Sequence, residues 1–480
     1  MLFVPARHSF LFLLVATWLR YSKTNSSSPI CPKDTLNPLI LSPNVTNHNI
    51  FMSRDYPIQH QRKLKIANSR DFLDVELARY KKSVFQKEDL LECIELSNNK
   101  NKYTSPKFKF FIYDLPPTFN LDLQDCVSRP DPSINARHCG TGNQMYTTKN
   151  MTAYDTWQFA LEVILHHKLM FSPHRTLDPE QADAFYIPFY SSSACFCDHY
   201  STENPSSRVL EDELVAFLMN STYYRKGIPH FMALSRIQRE HADPSCTLLY
   251  HQEFSNVTFV GIERESRHQR LEHALKIPLP RIPLVVVPYP SYGYLHPNHD
   301  GKYLESIKNQ PRNTLVLLAA SVQPKNPLRA KLLEQFSHHS TNKSAEEYFK
   351  LNPDKEIVNR ILFVTPESHL DHRKHTLDWM ARSHFCLQPK GDSPTRKSFY
   401  DSIISGCIPV LFSDGTYVPY PFERHIDYAS FVVTIDEWYI LSGGDIVDKL
   451  IEISQKGKTT ETKYSLDDVM DANKQHDNKK

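Results

Sequence analysis

Three cations, Lys390, Arg396 and Lys397, crowd into residues 390–401 of this chain, with Asp401 closing the stretch and Gly391 and Pro394 among them. That combination suits a phosphorylated sugar. An Arg about 4 Å from a phosphate oxygen contributes roughly 4 kcal/mol near a surface. A helix N-terminus beside it adds about 0.3–2 kcal/mol, so the side chains dominate. Asp401 would be repelled by phosphate and is suited instead to accept hydrogen bonds from sugar or ribose hydroxyls. The alternative is an ordinary strand–helix–strand unit in which Lys and Arg are solvated and Asp401 pairs with Lys397. Spacing alone favours neither.

The neighbouring residues predict the elements that would hold such a site. The apolar run 384–388 is bounded by turn residues, as in a buried strand. Pro389, Gly391 and Pro394 then break regular structure. Ser393 has the chemistry of an N-cap and Pro394 that of a first helical residue, which predicts a helix over 394–405 with Phe399 and Ile403 on its buried face. Gly406 ends it, and 407–412 returns as a strand. Strand, tight loop, helix and strand make one unit of a parallel sheet, with the loop at the carboxyl end where open α/β sheets bind ligands.

The same stretch, FCLQPKGDSPTRKSFYDSIISGCIPVLF at 385–412, resembles the signature segment of the exostosin family, glycosyltransferase family 47. Its GDS-x-TR-x-S-x-x-DS core followed by GCIPV is most similar to the plant xyloglucan galactosyltransferase-like branch. The resemblance covers 108–436 and implies an α/β, GT-B type fold, two Rossmann-like domains facing a cleft. It implies inverting transfer from a UDP-sugar donor to a glycan acceptor, with no metal and no cofactor. Ser393, Arg396, Ser398 and Asp401 would then bind the donor. The loop at 321–336 resembles the family's second cationic loop, which adds Lys325 and Arg329; solvated helix charges are the alternative. His230, Arg236 and Glu240 match a family pattern with a carboxylate four residues after an Arg, although Ser235 and Glu240 replace the usual Gly and Asp. Glu240 is the candidate base and Arg236 its orienting partner; a surface charge pair is the alternative. PYPSYGYLHP at 288–297 resembles the family's interdomain turn, where Tyr289 and Tyr292 would stack on an acceptor sugar or pack a hinge. The family also implies helices beyond the end of this chain that brace the first domain.

At 480 residues the chain accommodates two α/β domains with extensions, and a net charge of +2 gives no case for nucleic acid. The apolar stretch 10–19 lies between Arg7 and Arg20; ten helical residues span about 15 Å against a hydrocarbon core of roughly 30 Å, so a signal anchor and a cleaved signal peptide stay open. The expected organisation is a signal segment at 1–24, a stem at 25–104, an acceptor domain at 105–296, a donor-binding domain at 297–455 and a disordered tail at 456–480. The stem contains a helical pattern at 71–96. A single-pass type II protein of the Golgi membrane with a lumenal catalytic domain is the expectation, with membrane contact through the N-terminal segment and complexes with other glycosyltransferases. Sequons at Asn25, Asn44, Asn150, Asn220, Asn256 and Asn342 agree with that compartment. Cys126 and Cys139 bracket a loop suited to a bridge. Cys386 and Cys407 are either bonded or buried thiols, and Cys195 and Cys197 are too close to pair with each other.

Further expected elements are a strand at 108–113, a helix at 154–170 and a strand at 182–190 ending in PFY. A helix at 211–219 and strands at 230–234, 257–262 and 284–288 follow. The second domain should open with a central strand at 315–320, a helix from Pro327, a strand at 361–365 and a helix at 375–383. After the signature, a strand at 431–435 and a helix at 444–454 close it. His166, His167 and His199 lack an orienting carboxylate and are expected to pack. The rival to an active transferase is a catalytically silent glycan-binding subunit or chaperone of a synthase complex.

Overall fold

The computed structural model describes residues 108–128, 140–148, 151–200, 206–241, 246–265, 282–296, 306–307, 310–321, 326–339, 361–364 and 371–457 without 416. The expected signal segment and stem, the helical pattern at 71–96, Asn25, Asn44, Asn150, Asn342, Cys139, the side chain of Cys126, Lys325 and the tail beyond 457 lie outside the described residues.

In chain order the first strands are β1 (Phe110–Ile112), β2 (Gln144–Thr147), β3 (Met151–Tyr154), β4 (Ala184–Tyr186), β5 (His230–Leu234), β6 (Val257–Gly261), β7 (Leu284–Val286) and β8 (Gly293–Leu295). They are followed by β9 (Thr314–Ala319), β10 (Ile361–Val364), β11 (Ser383–Gln388), β12 (Ile408–Ser413) and β13 (Val433–Asp436). One sheet runs β1-β4-β5-β6-β7 and another β10-β9-β11-β12-β13, both parallel throughout. A small antiparallel sheet, β2-β3-β8, accompanies them. The strands of β5 and β9 are buried runs, HFMAL and TLVLLA, because a parallel sheet covered on both faces leaves no side for polar residues.

The two strand orders decide where a ligand belongs. In the first sheet successive strands simply add side by side. In the second, the chain leaves β9 for β10 on one side, then returns to β11 on the other. That reversal opens a crevice at the carboxyl ends of β9 and β11, where doubly wound sheets bind nucleotides. Residues 319–321 and 389–396 lie at those ends.

Several expected boundaries move, each for a local reason. The helix expected at 154–170 spans Leu161–Met170, because Met151–Tyr154 pairs with Gly293–Leu295 as a strand. Only Ala184–Tyr186 of the expected 182–190 strand pairs, and a helix at Ser191–Tyr200 follows. The signature helix spans Lys397–Ile404 rather than 394–405. Arg396 is its extended N-cap residue with no side-chain cap, since the Ser393 hydroxyl donates elsewhere. Gly406 closes that helix at φ +68°, a conformation glycine adopts without strain. The last helix, Ile446–Gly457, runs past the expected start of the tail and is preceded by Glu437–Leu441.

The halves share an apolar seam. Ala233, Ile237, Val260, Ile262, Val287 and Tyr289 of the first pack against Phe399, Tyr400 and Val432 of the second. Tyr289 and Tyr400 stack with centroids 5.9 Å apart. Burying a side chain of this size contributes about 1.5–3 kcal/mol, so the signature helix is fixed against both halves.

Cys386 and Cys407 form a disulfide beside the signature loop, and Cys195 bonds to Cys246 rather than to Cys197. Replacing both Cys386 and Cys407 with Ser should lower unfolding free energy by about 3 kcal/mol, read as a drop in the urea midpoint. An unchanged midpoint would mean that this bridge does not form in the protein.

Candidate functional site

The crevice at β9 and β11 opens into a cleft of about 470 Å³ between the halves. Glu240, Tyr289, Tyr292, Arg329, Ser393, Arg396, Ser398 and Asp401 all line it. The structure therefore brings together every expected site residue it describes, although several hold different partners from those expected.

Among the described residues lining the cleft, Arg329 and Arg396 are the cations that remain for an anion. Arg329, at the start of the Pro327–His339 helix, is 4% exposed; its Nε donates to the Lys390 carbonyl at 3.0 Å and its Nη1 to Ser321 at 3.3 Å. Arg396 donates from Nη1 to the Pro389 carbonyl at 3.1 Å and from Nη2 to the Ala319 carbonyl at 3.0 Å. The carbonyls at the strand ends thus aim two planar guanidiniums into one crevice. Burial, together with the Arg329 charge, pushes Arg396 down to about 9, still protonated at neutral pH. Burial also lowers Arg329, against the pull of Asp392. Two desolvated like charges side by side favour a bound anion, and Arg presents the fork that phosphate oxygens fit.

Lys390 and Lys397 do not add to that charge. Lys390 is bonded to Asp414 at 3.2 Å and Glu437 at 3.0 Å. Lys397 pairs with Asp401 at 3.0 Å and lies 2.8 Å from the centre of the Tyr292 ring. Asp401 is 1% exposed; its Oδ1 accepts from the Ser291 hydroxyl at 2.6 Å and the Tyr292 N–H at 2.9 Å. It ties the interdomain segment to the signature helix, a correction to the expectation of an open acceptor for hydroxyls. The Ser398 hydroxyl donates to Gln388 at 2.7 Å, and Gln388 returns a bond to the Ser398 carbonyl. Tyr289 is 5% exposed under Tyr400, so its ring face is not a platform for sugar.

Across the cleft, Glu240 is 32% exposed and accepts from Arg236 Nε at 3.0 Å. The Arg236 guanidinium lies 4.6 Å from the Phe196 ring centre. The loop carrying this pair is anchored from below. The Ser192 hydroxyl accepts from the N–H groups of Ser235 and Arg236, at 2.9 and 3.1 Å, and the Ser235 hydroxyl accepts from the Glu162 N–H at 2.7 Å. Ser235 therefore has its own structural role where the family pattern has Gly. Glu162 itself is fully buried at the N-terminus of the Ser191–Tyr200 helix, and burial pushes it up to about 7. A carboxylate held by Arg at a cleft wall has the arrangement of a base and its orienting group.

These two walls occur in a chain whose residues 104–450 match the Exostosin GT47 domain. The chain belongs to the exostosin GT47 family. It is 30% identical over 391 residues to a probable xyloglucan galactosyltransferase of Arabidopsis thaliana, covering 77% of this chain and 62% of that protein. It is 28% identical over 397 residues to a xyloglucan-specific galacturonosyltransferase of the same plant, covering 78% of this chain and 55% of that protein. The chain thus spans a little over half the length of these relatives.

In this exostosin-family chain the sequence reading missed the first half's grip on the signature loop. Glu263 Oε2 accepts from the Ser393 hydroxyl at 2.9 Å, the Thr395 N–H at 3.1 Å and the Thr395 hydroxyl. Its Oε1 is buried with no partner among the described residues. Arg239 pairs with Glu265 at 3.1 Å and donates to the Asp392 carbonyl. A signal was present: Glu263 and Glu265 stand just past the carboxyl end of an apolar parallel strand, β6.

Burial pushes Glu263 from 4.5 up to about 7; the bonds from Thr395 and Ser393 oppose this, and Glu265 adds to it. The folded state therefore holds this proton more tightly than the unfolded state. The resulting stability is complete below about pH 4.5 and lost as pH rises through about 7, roughly 3 kcal/mol at most. Glu263→Gln should remove that slope and melt higher than the wild type above pH 7. Parallel pH profiles of Tm for the two proteins would count against a buried, proton-linked Glu263.

Proposed function

We propose that this chain is an inverting glycosyltransferase of GT-B architecture that moves a sugar, galactose being the first to test, from a UDP-sugar to a polysaccharide or glycoprotein glycan. The observation that carries the reading is the pair of guanidiniums, Arg329 and Arg396, aimed into the crevice at the carboxyl ends of β9 and β11. The acceptor hydroxyl attacks the anomeric carbon as the bond to the diphosphate oxygen breaks. Glu240 takes the hydroxyl proton, and the leaving UDP carries away the bonding pair. The guanidiniums stabilise the charge that develops on the diphosphate, as fixed cations in a water-poor site do well. On this reading the reaction needs no metal ion or cofactor.

The Golgi lumen is the proposed compartment. The bridges Cys195–Cys246 and Cys386–Cys407 suit an oxidising environment, and both described sequon asparagines, Asn220 and Asn256, are exposed. Among the described residues no helix is long and apolar enough to cross a membrane; attachment is proposed through the N-terminal segment, alongside other glycosyltransferases. The test is turnover by the full chain from a secretory host, given UDP-galactose, UDP-glucuronate, UDP-xylose and UDP-arabinose with xyloglucan oligosaccharides, with and without chelator. A product mass gain of one sugar that survives chelator supports the proposal. UDP binding without turnover of any donor would favour the silent subunit.

A further inference from the structure

A second cavity, of about 1030 Å³, adjoins the donor cleft and is more than twice its size. It lies at the carboxyl ends of β11 and β12, beside Thr434 of β13 and under the segment 417–428, and shares Gly391, Asp392 and Ser393 with the donor cleft. Its lining is unlike that of the donor cleft. Four carboxylates (Asp392, Asp414, Glu423, Asp427) face three cations (Arg239, Lys390, Arg424). Lys390 and Arg239 are already paired with carboxylates. Such a wall repels a polyanion and offers many donors and acceptors to a neutral polyol. Tyr420 and Tyr428 form an aromatic back wall, centroids 4.9 Å apart, rooted in the seam through Phe399. Tyr417 is 65% exposed, with its hydroxyl donating to Glu423.

The backbone over this cavity is strained. Phe422 has φ +56°, a left-handed conformation that a bulky residue rarely adopts. The N–H groups of His425 and Ile426 close onto its carbonyl at 2.7 and 2.9 Å. Strain of this kind persists where surrounding structure imposes it, commonly at ligand clamps. Here it folds the segment so that Tyr417, Tyr420, Glu423 and Arg424 face one space.

We propose that this cavity is the acceptor subsite, holding several residues of a neutral oligosaccharide with one sugar stacked on Tyr417 and the growing end directed past Gly391–Ser393 toward the donor. The inference rests on the donor-cleft reading and replaces Tyr289 and Tyr292 as the acceptor contacts. Its size fits, since ligand pockets run to about 300–1,000 Å³.

The experiment is calorimetric titration of the full chain, without donor, using a xyloglucan heptasaccharide, cellohexaose and an oligogalacturonide, with UDP titrated separately. The wild type should bind at least one neutral oligosaccharide and not the oligogalacturonide. Tyr417→Ala should weaken that binding by about tenfold and Tyr417→Phe should retain it, with UDP affinity within about twofold in both. Unchanged oligosaccharide affinity in Tyr417→Ala, preference for the oligogalacturonide, or no neutral oligosaccharide bound by the wild type would each overturn the assignment. Loss of UDP binding in the wild type would instead sink the donor-cleft reading, and the oligosaccharide titrations would still judge the cavity.

Discussion

Arg396→Ala weakens UDP binding by about a hundredfold, a loss of about 3 kcal/mol. The expectation follows from the way the side chain is held. Its two terminal nitrogens are oriented by the Pro389 and Ala319 carbonyls, at the ends of the two strands that flank the crevice. Among the described residues no carboxylate pairs with it, whereas Lys390 has Asp414 and Glu437 and Lys397 has Asp401. Removing the guanidinium takes away a directed charge and leaves the phosphate facing Arg329 alone. Arg396→Lys should recover only part of the affinity, because an ammonium cannot reproduce the planar fork while bonding both carbonyls. Titration calorimetry on protein with a native circular dichroism spectrum is the measurement. Wild-type affinity in a folded Arg396→Ala protein would remove the diphosphate from this crevice.

Glu240→Gln lowers kcat by a factor of about 10²–10⁴ while leaving the donor dissociation constant near its wild-type value. The amide keeps the shape and can still accept from Arg236, so the loop anchored by Ser192 and Ser235 should not move. What disappears is the capacity to take a proton. Single-turnover kinetics with saturating donor separate this from a binding defect. An unchanged kcat would mean that the acceptor hydroxyl loses its proton to a different group or to solvent.

The second sheet was largely legible because its strands are apolar runs ended by Gly and Pro, and the crevice follows from their order. Arg396 stood out by residue type just past a strand end, whereas Arg329 and Glu240 were singled out only by the resemblance to the family pattern. Partners were harder to read. Asp401 and Lys397 are four residues apart and were open to either pairing or ligand binding; what decides it is the Tyr292 N–H, from a segment 109 positions earlier. Ser393 has the look of an N-cap, but Glu263 of the first half draws its hydroxyl away, and the helix starts at Lys397 instead. Met151–Tyr154 is the middle strand between Gln144–Thr147 and Gly293–Leu295, the second of which comes from far along the chain. Each of these depends on a contact between distant parts of the chain, and local pattern has no access to it.

The seam through Tyr289, Phe399 and Tyr400 has a bearing on how the molecule can be taken apart. A helix that serves as interior for two sheets at once leaves neither with a finished surface of its own. Cutting the chain between β8 and β9 would strip Phe399 and Tyr400 of the first-half side chains packed on them and leave Glu263 without the loop it grips. The halves should therefore melt together as one cooperative transition. Exchanging a donor half between relatives to change sugar preference would need the facing residues of β6 and the 287–292 segment to travel with it.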